Sequence, residues 1–480
     1  MTFSENKNPC PLRKAADKFH NEPALITTGR TLSYEQYDRL VSQVANNLKK
    51  KNLHTGDRIA VIAETTPELP YIILAVMRLG AIVCLMSPRL PARVILEYAR
   101  DTDCKQIIAP DDESHIENLL PLNTEELLKT STDGSKNYDA CVLDREATVV
   151  WTSGSSAQPK PVVHTLGNHY YSALGANKNM PLEPGDRWLL SLPLYHVGGL
   201  SILFRAILSG GAVVIPDKEK SLAKNISDHK ITHISLVATQ LYRLLENKKN
   251  IKEIAQTLKA VLLGGGSFPK ALIDDAVSYK LPLYRSYGLT ETASQVTTTS
   301  RADYPNKPDT SGRPLEYRQV KISEDNEILV KGEILFKGYL EPEGLNEPFD
   351  GDGWFHTGDI GHIDPDGCLI VTGRRDNMFI SGGENIQPEE IENRLCQMDD
   401  ILEAVVVPVE DAEFGFRPAA FVRIKDNREP DEVKITGYLE KHLPRFKIPD
   451  YFYGWPRNIE TSELKTRRKY FMDEARRRLS

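Results

Sequence analysis

The stretch RIAVIAETTPELPYIILAVMRLGAIVCL, residues 58–85, sets the class of the fold. Arg58 to Ile62 is a short β-branched run, Tyr71 to Arg78 carries a helical pattern, and Ala81 to Leu85 is strand-like again. A strand, a helix and a second strand in succession form the βα unit from which parallel sheets are built. The apolar run from Tyr71 to Met86 is interrupted by Arg78 and Gly80 and falls short of a membrane span, so it reads as a buried helix running into a strand. The same alternation extends outward from about Leu32 to Ile215, beginning with a helix over Tyr34 to Lys49. It continues through Trp188 to Ser191, Gly211 to Ile215, Ile231 to Leu236 and Ala260 to Leu263.

The texture changes after Arg313. Gln319 to Ile322, Glu327 to Val330 and Gly332 to Phe336 read as short strands between turn signals such as Asp364-Pro365-Asp366-Gly367, a small antiparallel β unit. A second shift falls near Gly373-Arg374-Arg375-Asp376. Beyond it, Pro388 opens a helix with Glu389, Glu390 and Glu392 in its first turns, where the helix dipole favours acids. Strands over Ala404 to Val409 and Ala419 to Ile424 and a helix over Asp431 to His442 complete a separate α+β unit. The chain of 480 residues has room for about three domain-sized units at about 150 residues each.

Composition narrows the function. Hydrophobic residues make up 40% and charged residues 26%, as in a soluble globular protein. A net charge of −7 argues against a protein that lives on bulk nucleic acid or an anionic membrane. Cys10, Cys84, Cys104, Cys141, Cys368 and Cys396 contain no C-x-x-C pair, which disfavours a disulfide scaffold or a zinc site and fits a reducing cytoplasm. The N-terminal residues lack the apolar core of a signal peptide.

Four loops could carry chemistry. Thr152-Ser153-Gly154-Ser155-Ser156-Ala157-Gln158-Pro159-Lys160-Pro161 follows the strand-like Ala147 to Trp151 and offers hydroxyls, a glycine and a lysine to a polyphosphate. Pro159 stands where a Walker A loop needs its second glycine, and an exposed Ser-rich turn is the alternative. Gly264-Gly265-Gly266 ends a strand and allows close approach of a ligand, or is a plain turn; Pro269 breaks the dinucleotide fingerprint. Tyr284-Arg285-Ser286-Tyr287-Gly288-Leu289-Thr290-Glu291 joins an aromatic that can stack a purine to a carboxylate that can hold Mg²⁺, or is a capped helix start. Trp354-Phe355-His356-Thr357-Gly358-Asp359 and Gly373-Arg374-Arg375-Asp376 set an acid and a base one hairpin apart, for ribose hydroxyls or for a solvated ion pair.

In their order and spacing, the motifs Thr152 to Lys160, Tyr287 to Glu291, Trp354 to Asp359 and Gly373 to Glu392 resemble the adenylate-forming acyl-CoA synthetases, from about residue 20 to the C-terminus. The resemblance implies an α/β fold: a large N-terminal domain of two βα sheet subdomains plus a small β-barrel (residues 1–373), a hinge (374–376) and a mobile α+β C-terminal lid (377–480). It implies ATP, Mg²⁺ and coenzyme A, with an acyl-adenylate formed first and then displaced by the thiol. Thr152, Ser153, Gly154, Ser155, Ser156 and Lys160 would wrap the phosphates, Tyr287 would stack on adenine, and Gly264, Gly265 and Ser286 would complete the nucleotide site. Thr290 would meet the α-phosphate, Glu291 would bind Mg²⁺, and Asp359 and Arg374 would hold the ribose. Asp376 matches the hinge, and Gly382, Gly383 and Glu384 would line the pantetheine path. Two departures stand out: Ala157 and Pro161 replace the usual glycines, and the C-terminal lysine motif is irregular. Lys465 is the expected bridge between carboxylate and α-phosphate, with Lys469 as second choice and a basic surface helix from Lys465 to Arg478 as the alternative.

Leu194 to Arg205 and Tyr287 to Gln295 further resemble the o-succinylbenzoate–CoA ligase branch of menaquinone and phylloquinone biosynthesis. That acid carries a spectator carboxylate, and Arg205, an arginine inside an apolar helix pattern, is its expected partner unless it snorkels to the surface. His196 would border the activated carboxyl, with Gly266 and Gln295 beside the acid. Other aryl- or fatty-acyl-CoA ligases, a peptide-synthetase adenylation domain and a non-catalytic nucleotide-binding relative are the alternatives. The expected partners are small molecules, with no nucleic acid and no membrane span; a homodimer is left open.

Overall fold

The computed structural model describes residues 7–109, 121–123, 127, 140–152, 159–246, 251–266, 268–303, 307, 309–425, 428–456 and 468–479. Two large sheets face each other across a layer of helices. In the eight-stranded sheet, Glu146–Trp151, Ile82–Met86, Arg58–Ile62 and Cys104–Ala109 run parallel as neighbours. Pro161–Thr165 then turns back antiparallel on Glu146–Trp151. In the nine-stranded sheet, the parallel strands run from Leu283–Leu289 through Ala260–Leu263, His233–Leu236, Arg187–Leu189 and Ala212–Val214 to Pro23–Thr27.

The period of two along each strand divides its side chains between two cores. Ile59, Val61, Val83 and Leu85 of one sheet join Leu25, Trp188, Val213 and Leu262 of the other around the helices Tyr34–Lys50, Leu69–Leu79 and Val197–Ser209. Ala60, Ile62, Ile82 and Cys84 point the other way, against Ile95 and Ala99 of the helix Ala92–Asp101. A helix held between two sheets needs apolar residues all round. Leu69–Leu79 meets that demand: only Met77 and Arg78 are not fully buried in it.

Arg78 is accommodated by an ion pair. Its guanidinium lies 2.6 Å from Asp38 of the helix Tyr34–Lys50, and Arg13 approaches the same carboxylate at 2.9 Å. The side chains of Arg78 and Asp38 are 3% and 2% exposed. Ser33 and Gln36 close a capping box at the start of Tyr34–Lys50. The buried Tyr34 hydroxyl shares its hydrogen between the carbonyls of Ala206 and Gly211, at 2.7 Å each, and so pins the end of Val197–Ser209.

The β unit after Arg313 is a four-stranded antiparallel sheet of Arg318–Ile322, Glu327–Gly332, Phe355–Ile363 and Leu369–Arg374. One expected strand is absent. Glu327 continues as strand to Gly332, and residues 333–336 then form a turn. Gly332 has φ +137°, and a Cβ there would lie 2.3 Å from the Tyr317 carbonyl. From Phe379 onward the chain has its own core. Ile391 and Leu395 of the helix Pro388–Leu395 pack with Val406, Ala420 and Leu439 on one face of the hairpin Ile401–Asp411/Gly415–Ile424. Phe471 of the helix Arg468–Leu479 packs on Val405, Val407 and Phe421 on the other. No helix among the described residues is long and apolar enough to cross a membrane.

The buried ion pair gives a stability test. Asp38→Ala leaves Arg78 charged and unpaired in the interior, which costs about 3–5 kcal/mol. The urea midpoint of the variant should fall accordingly, and a second change, Arg78→Met, should recover part of the loss.

Candidate active site

The two units enclose a cleft of about 2540 Å³. Ten of the residues expected from the sequence line it: Thr152, Lys160, His196, Gly264, Gly265, Gly266, Thr290, Glu291, Arg374 and Asp376. Arg423, Lys425, Arg468 and Lys469 of the C-terminal unit face the same space. Ser153, Gly154, Ser155, Ser156 and Lys465 lie outside the described residues.

The serine-rich loop joins antiparallel strands, with Pro161 opposite Trp151. Its two ends are clasped: the Thr152 N–H donates to the Lys160 carbonyl, and the Lys160 N–H to Thr152 Oγ1, both at 3.0 Å. The Lys160 ammonium sits 4.9 Å above the Tyr339 ring, whose hydroxyl donates to Glu291 Oε1 at 2.8 Å. Burial, and then the Glu291 carboxylate, push the Tyr339 phenol upward, which keeps it the donor. Tyr339 escaped the sequence reading because no motif around it marks it out.

Thr290 and Glu291 sit on a 3₁₀ turn, Thr290–Thr292, at the end of the strand Leu283–Leu289. The chain reverses abruptly there. Ala293 has φ +50° and Ser294 φ +127°, both unfavourable for residues with a Cβ. The turn is held by the Leu289 N–H on Thr292 Oγ1 at 3.0 Å and the Phe336 N–H on the Glu291 carbonyl at 2.8 Å. Gly288 permits it, because a Cβ at that position would lie 1.8 Å from the Ser294 carbonyl oxygen.

Asp359 and Arg374 are direct partners in the register of the hairpin Phe355–Ile363/Leu369–Arg374, and their charged atoms lie 3.0 Å apart. Burial works against the Arg374 charge, but the carboxylates of Asp359 and Asp376 outweigh it and hold the guanidinium above its ordinary pKa. The other Asp359 oxygen accepts from the Tyr287 hydroxyl at 2.7 Å. Tyr287 is only 9% exposed and packs with Val296, Ile328 and Leu369. In this structure it is a buried strut under Asp359 rather than an open stacking face. Ser286 likewise turns inward, donating to the Leu263 carbonyl at 3.0 Å, and so braces the strand before Gly264, Gly265 and Gly266.

Glu327, which the sequence reading also missed, ties this region together. It accepts from His356 Nδ1 at 3.0 Å and from the Gly358 N–H at 2.9 Å, and lies 3.3 Å from Arg375. Its signal was an acid opening an apolar strand. Gly382, Gly383 and Glu384 form the tip of the hairpin Phe379–Ser381/Glu384–Ile386 and do not line the cleft.

His196 precedes the helix Val197–Ser209, and Arg205 lies within it. Arg205 does not snorkel: it is 0% exposed. Its Nη2 donates to Gln295 Oε1 at 2.7 Å, and the guanidinium carbon lies 5.0 Å over the Trp188 ring. Nε and Nη1 are buried and have no acceptor among the described residues. Burial pulls the Arg205 pKa down to about 9, so it remains a cation at neutral pH. Neither Arg205 nor Gln295 lines the cleft; both stand behind its wall.

A family model described as AMP-binding enzyme matches residues 12–340, and one described as AMP-binding enzyme C-terminal domain matches residues 390–460. A 2-succinylbenzoate–CoA ligase of Bacillus velezensis is 34% identical over 462 residues, covering 92% of this chain and 94% of the relative. The o-succinylbenzoate CoA synthetase of Bacillus subtilis, solved in complex with the acyl-adenylate intermediate OSB-AMP, superposes with a TM-score of 0.86 at 30% identity, over 97% of this chain and 98% of that one. The same synthetase solved with ATP and magnesium ion gives a TM-score of 0.86 at 30% identity, over 97% of this chain and 99% of that one.

The steric role of Gly288 is testable. Gly288→Ala should displace the Thr290–Thr292 turn, lowering the melting temperature and weakening ATP binding at least about tenfold by calorimetry. Gly266→Ala, where a Cβ meets nothing within 4 Å, should melt with the wild type.

Proposed function

The chain belongs to the AMP-binding enzyme family, and we propose that it joins 2-succinylbenzoate to coenzyme A through an acyl-adenylate, releasing AMP and pyrophosphate. It is an AMP-forming acid–thiol ligase that uses ATP, Mg²⁺ and coenzyme A. The observation that carries the choice of acid is Arg205, a buried cation with two N–H groups that have no acceptor among the described residues. A monocarboxylic acid leaves that charge uncompensated, whereas a second, unreacted carboxylate supplies the missing acceptors. Arg205 lies nine residues along the helix from His196, about 13 Å of rise, and helical side chains lean back toward the N-terminus. An aromatic diacid between them would offer one carboxylate to each end, with Gln295 orienting the guanidinium.

In the first half-reaction a carboxylate must approach the α-phosphate of a polyanion, so charge neutralisation and alignment carry most of the rate. Thr152 and Lys160, which line the cleft, hold the β- and γ-phosphates together with Ser153, Gly154, Ser155 and Ser156 of the serine-rich loop. Thr290 meets the α-phosphate, and Lys465 bridges it to the acid. One carboxylate, Glu291, reinforced by Tyr339, suits Mg²⁺, which takes most of its remaining ligands from water and the nucleotide. The cation neutralises phosphate charge when bound. Asp359 and Arg374 hold the ribose, with Gly264 and Gly265 about the base and Gly266 beside the acid, while Tyr287 and Ser286 brace these elements from within the fold.

For the second half-reaction the hairpin of Gly382, Gly383 and Glu384 has to reach the cleft for thiol entry. We place the hinge at residues 374–376, around Asp376, between an N-terminal domain of residues 1–373 and a lid of 377–480. Supporting this, no residue of the 3₁₀ turn Arg375–Asn377 is buried, so little packing resists rotation there. A cytoplasmic setting suits the six free thiols.

Mass spectrometry of the product made from ATP, coenzyme A and 2-succinylbenzoate tests the activity, and absence of the thioester refutes it. Arg205→Leu tests the acid. Loss of a charge-assisted hydrogen bond, worth about 1.5–3 kcal/mol, should lower kcat/KM for 2-succinylbenzoate roughly ten- to hundred-fold. An analogue without the ring carboxylate should lose little; equal losses on both acids would make Arg205 purely structural.

A further inference from the structure

We propose that His164 is a positioning residue for adenylation, holding the main-chain carbonyl of Thr290 through a one-way chain of hydrogen bonds from His169 and Thr148. The inference rests on the function above, in which the Thr290–Glu291 turn meets the α-phosphate and magnesium.

The three side chains come from separate elements and are fully buried. Thr148 and His164 face each other in the hairpin that carries the serine-rich loop, and His169 stands on the helix Leu166–Asn179. His164 Nε2 lies 2.7 Å from the Thr290 carbonyl oxygen. Thr148 Oγ1 lies 3.3 Å from His164 Nδ1 and 2.9 Å from His169 Nε2.

Chemistry fixes the direction of every hydrogen. A carbonyl only accepts, so His164 carries its proton on Nε2. Burial brings the His164 pKa down to about 4, so the ring is neutral and Nδ1 is an acceptor. The single Thr148 hydrogen therefore points to His164, and Thr148 oxygen accepts from His169 Nε2–H. That leaves His169 Nδ1 as a bare lone pair, and it is the ring nitrogen that has no partner among the described residues.

What the chain holds is the strained turn. The Thr290 carbonyl also accepts from the Ala293 N–H at 3.1 Å, the bond that closes the turn just before Ala293 and Ser294 take positive φ. His164 braces that oxygen from the neighbouring sheet. His169 in turn stacks on Phe204 at 5.0 Å, next to Arg205. The loop hairpin, the catalytic turn and the acid-binding helix thus meet at one buried contact.

Two substitutions separate the two bonds of His164. Glutamine places an N–H where Nε2 stood, whereas asparagine reaches only the position of Nδ1. In acid-dependent exchange of pyrophosphate into ATP, His164→Gln should stay within about fivefold of wild type. His164→Asn should fall roughly ten- to hundred-fold in rate with little change in KM for the acid, the size expected for a small misplacement of reacting groups. Equal losses in both variants, or none in either, would overturn the proposal. If the wild type itself showed no exchange, the assigned reaction would fall, and the same ranking read as ATP affinity with magnesium would still decide the role of His164. A measurement on the unaltered protein guards against misfolded variants: imidazole ¹⁵N shifts should report Nε2–H tautomers for both His164 and His169, and an Nδ1–H tautomer at His164 would refute the chain.

Discussion

Burial of a helical layer between the parallel strands of two mixed sheets is the constraint on which the molecule depends. Both faces of that layer are dry, so every polar group entering it must bring its own partner. Arg78 brings Asp38. Tyr34 brings the carbonyls at the end of Val197–Ser209. Arg205 brings only part of what it needs, Gln295 and the face of Trp188, and is the place where the layer stays electrostatically incomplete.

That incompleteness connects fold to function. Burial, and then the charge of Arg205, bring the Arg318 pKa down to about 9 as well. Arg318 spends its donors on the carbonyls of Glu316, Gln295 and Ser172. A pair of buried cations around one glutamine favours an anion strongly and discriminates against an uncharged ring, a difference that an apolar tunnel cannot supply. The side of the cleft lined by Glu291 and Arg374 is arranged otherwise. Asp359 is already bonded to Tyr287 and Arg374, and Glu291 to Tyr339, so both carboxylates are held in place before a ligand arrives.

Rigidity is also stored in the backbone. The turn after Gly288 keeps Ala293 and Ser294 at positive φ, a cost sustained by hydrogen bonds from three directions: His164, Phe336 and Thr292. The link between the units is built otherwise. No residue of Arg375–Asn377 is buried; Arg375 contacts Glu327, and the Asn377 amide donates to Glu389.

The sequence by itself determined most of the elements and picked out ten of the residues that line the cleft. Ala260–Leu263 and Arg58–Ile62 read as strands because β-branched runs between turn signals have few other uses, and both occupy the residues expected. The pairing of Asp359 with Arg374 across one hairpin was legible for the same local reason. Gly332–Phe336 misled because a strand-like composition cannot reveal that Gly332 must pass against the Tyr317 carbonyl. Tertiary structure alone decided whether Arg205 reached water, that Tyr287 turned beneath Asp359, and that Thr148, His164 and His169 converge on Thr290. Those outcomes depend on contacts between residues from 16 to 126 positions apart, where burial and hydrogen-bond geometry, rather than local pattern, choose the partner.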